Sequence, residues 1–499
     1  MGRFRFGWAI REYSTELPVM IPGQSYIRVS EGIHDPLCIT ALCIDSGEGS
    51  APVIFCSVDI SSLYHVYIDA VQDAVAEKNP KIPRNSIIMN STHTHTAMAL
   101  YKTPDKSPDG VEIYPGLEYL KVFADLASDA ICEAWEKRSE GGMAYGYGYA
   151  VVAHSRRSVY SEDQGKANPL SMAPNGYAVM YGGTFRPSFS HYEAGADHFL
   201  NLMFTFDRKE ELTGIVVNVP CPSQTSENWT KQSADFWNEV REMVWKEYGR
   251  HVYVLPLCAP AGDLSPRIMH YRAAQERRFH LKYGLSYDPK AFNVYNKAMG
   301  ERLDIAERIL NGIRDVYSWA RKDIKTEGVV EQIHENVPIT KRRITEEEKR
   351  WCEENIEALL QSVPDRASCT DEEYCKAYST YINVKNRNEG AIRKFFTQDE
   401  EPFKYHKLNV VRVGDIAFAT SPFELYQDYM HRIQARSPFI QTFTVQLCGD
   451  GLSGYLATER AVKNKGYSAS LFCNTIGPEG GQEVVEWTLA NLDKLNSKE

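Results

Sequence analysis

The sequence predicts an α/β fold: a mixed, mostly parallel sheet flanked by helices, with a mainly helical insertion. Three patterns lead there. Short apolar runs alternate with amphipathic segments of helical period. Five of those runs end in segments rich in Gly, Pro, Ser and chemically able side chains. Residues 270–405 depart from the pattern and are richer in charge and helix formers. A single domain over residues 1–499 is therefore expected, with 270–405 inserted in it.

The first unit opens with two strand-like runs, Leu37 to Asp45 and Pro52 to Ile60. Ser61 to Lys78 then carries Leu63, Val66, Ile68, Val71, Ala74 and Val75 at helical spacing. The apolar run Ser86 to Asn90 completes a β-α-β unit, which implies parallel strands and a right-handed crossover. A second unit joins the strand Leu212 to Val219, a helix Ala234 to Tyr248 and the strand Val252 to Cys258. Its strands end in Pro220-Cys221-Pro222-Ser223 and Ala259-Pro260-Ala261-Gly262-Asp263-Leu264-Ser265-Pro266. In the third, Asp415 to Thr420 leads into Ser421-Pro422-Phe423-Glu424 and a helix to Ile433. Thr442 to Leu447 then runs into Gly449-Asp450-Gly451-Leu452-Ser453-Gly454-Tyr455. Ligands of open α/β sheets gather beyond the carboxyl ends of strands, so these endings predict one shared site edge. Within the insertion, Lys297 to Trp319 and Thr345 to Gln361 read as helices, and Gly481 to Leu495 as a final helix packed on the sheet.

Composition narrows the function classes. A net charge of −10 without a long basic run argues against a nucleic-acid partner. No apolar stretch is long enough for a transmembrane helix, and the start lacks the apolar core of a signal peptide. Eleven cysteines, with Cys43, Cys56, Cys258 and Cys448 inside apolar runs and no CxxC pair, suit a reduced protein. A cytoplasmic protein acting on a small molecule, without stable membrane association, is the expectation.

Thr92-His93-Thr94-His95 follows the Ser86 to Asn90 strand. In an extended backbone, side chains two apart share a side, so both imidazoles would face one space. Two histidines there suit a metal site or an acid/base pair. Familiar hydrolase signatures are missing: there is no GxSxG elbow, no HExxH and no Walker loop.

Taken in order, the motifs resemble those of the neutral (non-lysosomal) ceramidase family, in its large amino-terminal catalytic domain. The series is Leu17-Pro18-Val19, Gly32-Ile33-His34-Asp35-Pro36-Leu37, Thr92-His93-Thr94-His95, Arg156-Arg157-Ser158, Ala261-Gly262-Asp263-Leu264-Ser265-Pro266, Pro422-Phe423-Glu424, and Gly454-Tyr455 followed by Tyr467. The resemblance runs through most of the chain, as a divergent member. It implies a zinc amidase that cleaves an N-acyl bond. Carried over by motif, the metal ligands would be His93, Glu424, Tyr455 and one more. Where the family has a histidine before proline, upstream of Ser-Ala-Asp, this chain has Cys221-Pro222 before Ser233-Ala234-Asp235. A thiolate is a good zinc ligand, though it makes a poorer Lewis acid, and the alternative is a small buried core residue.

The same resemblance makes His95 the acid/base and oxyanion partner and Tyr467 a second donor. Ser265 would be a substrate-positioning hydroxyl, with direct attack or a turn-stabilising role as alternatives. Arg157 would hold a polar or anionic part of the substrate, with Arg156 as its rival. Three readings follow: a zinc-dependent amidohydrolase of a small soluble N-acyl compound rather than ceramide, a metal-assisted hydrolase of an ester or glycoside, or a non-catalytic metabolite binder.

Overall fold

The computed structural model describes residues 2–47, 50–165, 176–286, 293–449, 451 and 453–497. Asp450 and Leu452 of the last strand ending lie outside the described residues. Two sheets face each other. The larger holds β1 (Arg5–Glu12), β2 (Cys38–Asp45), β3 (Val53–Val58), β4 (Ile87–Ser91), β5 (Ser139–Tyr149), β6 (Phe199–Asp207), β7 (Leu212–Val219) and β8 (Tyr253–Cys258). Their order across the sheet is β8-β7-β6-β5-β1-β2-β3-β4. The smaller holds β9 (Val330–Thr340), β10 (Phe403–Val413), β11 (Ile416–Thr420) and β12 (Gln441–Val445), in that order.

Phe55, Ile88, Val216 and Leu255 of the large sheet pack with Phe418, Phe443 and Val445 of the small one. Strands buried on both faces explain why these runs are apolar throughout instead of alternating. The helices are α1 (His65–Lys78), α2 (Gly116–Glu136), α3 (Phe236–Tyr248), α4 (Arg272–Tyr283), α5 (Val294–Ala320), α6 (Glu346–Leu360), α7 (Asp371–Thr397), α8 (Gln427–Arg436), α9 (Glu459–Asn464) and α10 (Pro478–Asn496). α1 and α2 cover one part of the large sheet's outer face, and α3 and α5 another. α8 and α10 cover the small sheet. The layers are therefore helix, sheet, sheet, helix.

The mixed sheet expected from the sequence is present, split in two, and its pairing is mostly antiparallel where mostly parallel was expected. Within these two sheets the parallel neighbours are β3 with β4, β7 with β8 and β11 with β12. These are the three β-α-β units, enclosing α1, α3 and α8. The other neighbours in both sheets are antiparallel.

The 270–405 segment is not purely helical. β9 inside it pairs along its full length with β10 and so belongs to the small sheet. α5 joins the large sheet's covering layer. α6 and α7 form a helical hairpin between β9 and β10. Both start with complete capping boxes, Thr345 with Glu348 and Thr370 with Glu373, which satisfy the orphan amides of the first turn. Among the described residues no helix is long and apolar enough to cross a membrane.

A buried ionic network ties the amino-terminal segment to α3 and α5. Arg302 donates to Asp35 at 2.6 Å, to Glu239 at 2.8 Å and to the Ser233 hydroxyl at 3.0 Å. Asp35 in turn accepts from Ser233 Oγ and the Ala234 amide. Removing the cation strands two buried carboxylates, which costs far more than an exposed pair would. Arg302→Met is expected to lower unfolding free energy by about 3–5 kcal/mol in denaturant titration; a loss below about 1 kcal/mol would contradict this role.

Candidate active site

The loops after all six strands of the three parallel pairs converge on one polar cavity of about 540 Å³. Ser61, Ser62 and Tyr64 come from the loop after β3, and His93 and His95 from that after β4. Gln224 and Glu227 follow β7, Arg267 follows β8, Glu424 follows β11 and Tyr455 follows β12.

His93 sits in the left-handed region, at φ 65°, which only a few per cent of non-glycine residues adopt. The backbone is thus not extended here, contrary to the expectation from alternation. The two imidazoles nevertheless share the cavity, with ring centroids 4.8 Å apart. The hydroxyls of Thr94 and Thr96 point elsewhere and donate to the Ser233 carbonyl. His93 Nδ1 lies 2.5 Å from the Ser61 carbonyl oxygen. A carbonyl only accepts, so Nδ1 carries the proton and Nε2 is turned into the cavity. There it meets Glu424 Oε2 at 3.4 Å.

Glu424 and Tyr455 are held side by side by a two-residue parallel ladder, Glu424 opposite Tyr455 and Leu425 opposite Leu456. Gly262 lets this ladder close: its amide donates to the Leu425 carbonyl, and a Cβ there would lie 2.3 Å from the Glu424 carbonyl oxygen. Arg156 donates to the Gly262 carbonyl at 2.8 Å and the Tyr455 hydroxyl at 3.2 Å, and lies 3.7 Å from Glu424 Oε2. Burial opposes the Glu424 charge, but His93, Arg156 and the Tyr455 hydroxyl outweigh it and hold the carboxyl below its ordinary range.

His95 is the second centre. Gln224 Nε2 donates to His95 Nε2 at 2.9 Å, while Arg156 reaches Gln224 Oε1 at 3.5 Å, which fixes the amide's orientation. The proton of neutral His95 is therefore on Nδ1, facing Glu227 Oε2 at 3.5 Å. Burial lowers the His95 pKa, against the opposing pull of Glu227, so the ring is neutral at pH 7. Glu227 also pairs with Arg267; burial pushes its carboxyl up, but His95 and Arg267 draw it down to about 2. The loop carrying Gln224 and Glu227 is pinned by Asp235, which accepts from Thr225 Oγ, Ser226 N and Ser226 Oγ.

No family model matches the chain, and no curated protein does. Solved structures do. The neutral ceramidase from Pseudomonas aeruginosa is similar with a TM-score of 0.66, at 15% identity, over 99% of this chain and 75% of that one. A ceramidase complexed with C2 gives a TM-score of 0.65 at 14% identity, over 100% of this chain and 76% of that one. The chain has the neutral ceramidase fold. At these identities the likeness is one of fold.

Within this ceramidase-like fold, His93, His95, Glu424, Tyr455 and Tyr467 of the sequence-derived set meet at the cavity. Three others do not line it. The Cys221 thiol is fully buried among Trp237, Phe236 and Val219 and donates to the Val152 carbonyl at 3.3 Å. Burial raises its pKa well above the ordinary thiol value. Ser265 Oγ accepts from the Arg267 amide and shapes the turn that presents Arg267. Arg157 is locked in a buried pair with Glu193, at 2.5 and 3.0 Å, and donates to the Lys465 carbonyl. Its rival Arg156 is the arginine at the cavity. Gln224, Glu227, Arg267 and Arg387 were missed by sequence reading.

The donors fit a metal ion in reduced form. His93 has its Nδ1 proton anchored on a carbonyl and its Nε2 directed at a carboxylate oxygen, as a metal-bound imidazole requires. Two acceptors facing each other at 3.4 Å call for a proton or a cation between them. With Tyr455 this makes three protein donors, the number usual in catalytic zinc sites. Among the described residues no cluster of three His, Cys, Asp or Glu has metal-holding geometry, the third donor here being a phenol.

Two outcomes follow. Cys221→Ala is expected to retain metal content and turnover while lowering stability by about 1 kcal/mol; loss of bound metal would reinstate Cys221 as a ligand. If His95 acts as a base, the acid limb of kcat/KM lies below pH 6.5, and Glu227→Gln moves it lower still, because the carboxylate raises the His95 pKa.

Proposed function

We propose that the protein hydrolyses a linear amide bond in a small soluble N-acyl compound, with zinc held by His93, Glu424 and Tyr455. The observation that carries this reading is His93 Nε2 facing Glu424 Oε2 beside a second, neutral histidine. The ceramidase-like fold supports an amide substrate. When bound, zinc lowers the pKa of water and polarises a carbonyl.

The chain's own residues supply the rest. Neutral His95 accepts a proton from water at Nε2 as that water attacks the amide carbon, the water replacing the Gln224 amide as the donor to that atom. Glu227, beside Nδ1, then stabilises the imidazolium, as the carboxylate of a catalytic triad does. The same proton is returned to the leaving nitrogen, so the products are a carboxylic acid and an amine. Tyr467 remains a phenol, its pKa pushed up to about 12 by Cys473 and by burial, and with Arg156 donates to the developing oxyanion. Small polar substrates suit the lining of arginines, glutamates and tyrosines better than a lipid does. Eleven free cysteines, mostly buried, favour a reducing, cytoplasmic setting.

A panel of N-acyl amino sugars, N-acyl amino acids, ceramide, acyl esters and glycosides tests this by product analysis. Amine release from a soluble N-acyl compound is expected. Turnover of ceramide alone would overturn the soluble substrate, and release of only alcohol or sugar would overturn the amide. By elemental analysis, His93→Ala and Glu424→Gln should each reduce bound zinc from about one per chain to near none; full retention in both would overturn the ligand set.

A further inference from the structure

The cavity contains more positive charge than it neutralises. Arg156 lies beside Glu424 and Arg267 pairs with Glu227. The third arginine, Arg387, comes from α7 of the helical hairpin. Its NH2 donates to the Tyr467 hydroxyl at 3.5 Å, and its guanidinium lies 5.5 Å from the centre of that ring. Its NH1 is buried without a hydrogen-bond partner, and no carboxylate among the described residues pairs with it. Three arginines against two glutamates leave one cationic group unmatched.

Such a group is costly to bury and must be held for a ligand or solvated. Arg387 is fixed in place: α7 is tied to the opposite rim by Asn383, which donates to the Ser25 carbonyl, and by Lys376 over the Tyr26 ring. Arg387 contacts Tyr467, whose ring centroid is 6.0 Å from that of Tyr455. A guanidinium with one free edge and a neighbouring phenol matches a carboxylate, which accepts in a plane.

Building on the amide-hydrolase reading, we propose that Arg387 selects substrates that carry a carboxylate near the scissile amide. The helical hairpin thus contributes specificity to a site whose chemistry lies on the sheets.

The test uses the full chain, with hexanoylglycine and hexanoylglycinamide as matched probes and acetate, sulfate and phosphate as simple anions, in calorimetric titrations at constant ionic strength. Wild type is expected to bind hexanoylglycine about ten-fold more tightly than the amide and to bind acetate saturably. Arg387→Met should abolish the acid preference, Arg387→Lys should retain part of it, and Arg436→Met on the surface should leave it intact. Circular dichroism melting confirms folding of each variant. Equal affinity for acid and amide, no binding of either, or an acid preference unchanged in Arg387→Met would overturn the proposal. Tighter binding of sulfate or phosphate than of acetate would overturn the carboxylate assignment. Amine release is assayed separately. Binding of the acid without hydrolysis sinks the amidase reading and leaves the anion site standing; equal hydrolysis of both probes does the reverse.

Discussion

The cavity depends on how closely the backbone after β8 approaches the backbone after β11. Gly262 has no side chain to hold them apart, and its amide bonds directly to Leu425. Gln446 locks the same junction: its Oε1 accepts from the amides of Ala261 and Leu425, and its backbone amide donates to Cys258. This buried clamp joins the two sheets at their carboxyl ends. It sets the Glu424–Tyr455 ladder at the height where His93 arrives from β4. A larger residue at position 262 would meet the Glu424 carbonyl, and the donors would no longer meet.

Several motif residues that invite a chemical role make hydrogen bonds within the architecture around the cavity. Asp35 and Ser233 serve the Arg302 network, and Asp235 caps α3 while holding the Gln224–Glu227 loop. Asp263 accepts from Gln427 at the start of α8. Ser265 bonds to the next turn, and Arg157 to Glu193. Buried carboxylates and arginines of this kind are tolerated only when their partners are complete.

Charge inside the cavity follows the same logic. Arg156 and His93 keep Glu424 ionised despite burial, and Arg267 does so for Glu227. His95 is kept neutral by burial even with Glu227 beside it. Two adjacent histidines thus sit in different electrostatic settings, one turned to a carboxylate oxygen at Nε2 and the other receiving an amide proton there. That difference distinguishes the two rings more clearly than their spacing does.

Much of the fold was legible in the sequence, because apolar period and turn residues are local signals. Leu212 to Val219 is a strand with those bounds, and the β-α-β units around α1, α3 and α8 were readable from period alone. The convergence of strand endings was also foreseeable, as was the cavity membership of His93, His95, Glu424, Tyr455 and Tyr467. Other features required the folded chain. Antiparallel pairing, the membership of β9 in the small sheet and the left-handed backbone at His93 are set by partners distant in sequence. So is the orientation of side chains. Whether Arg156 or Arg157 enters the cavity, or whether Cys221 faces a metal or Val152, depends on which side of a segment its neighbours bury. The local sequence determined the elements and where their chemistry gathers; only tertiary packing, through long-range burial and charge pairing, decided which side chains reach it.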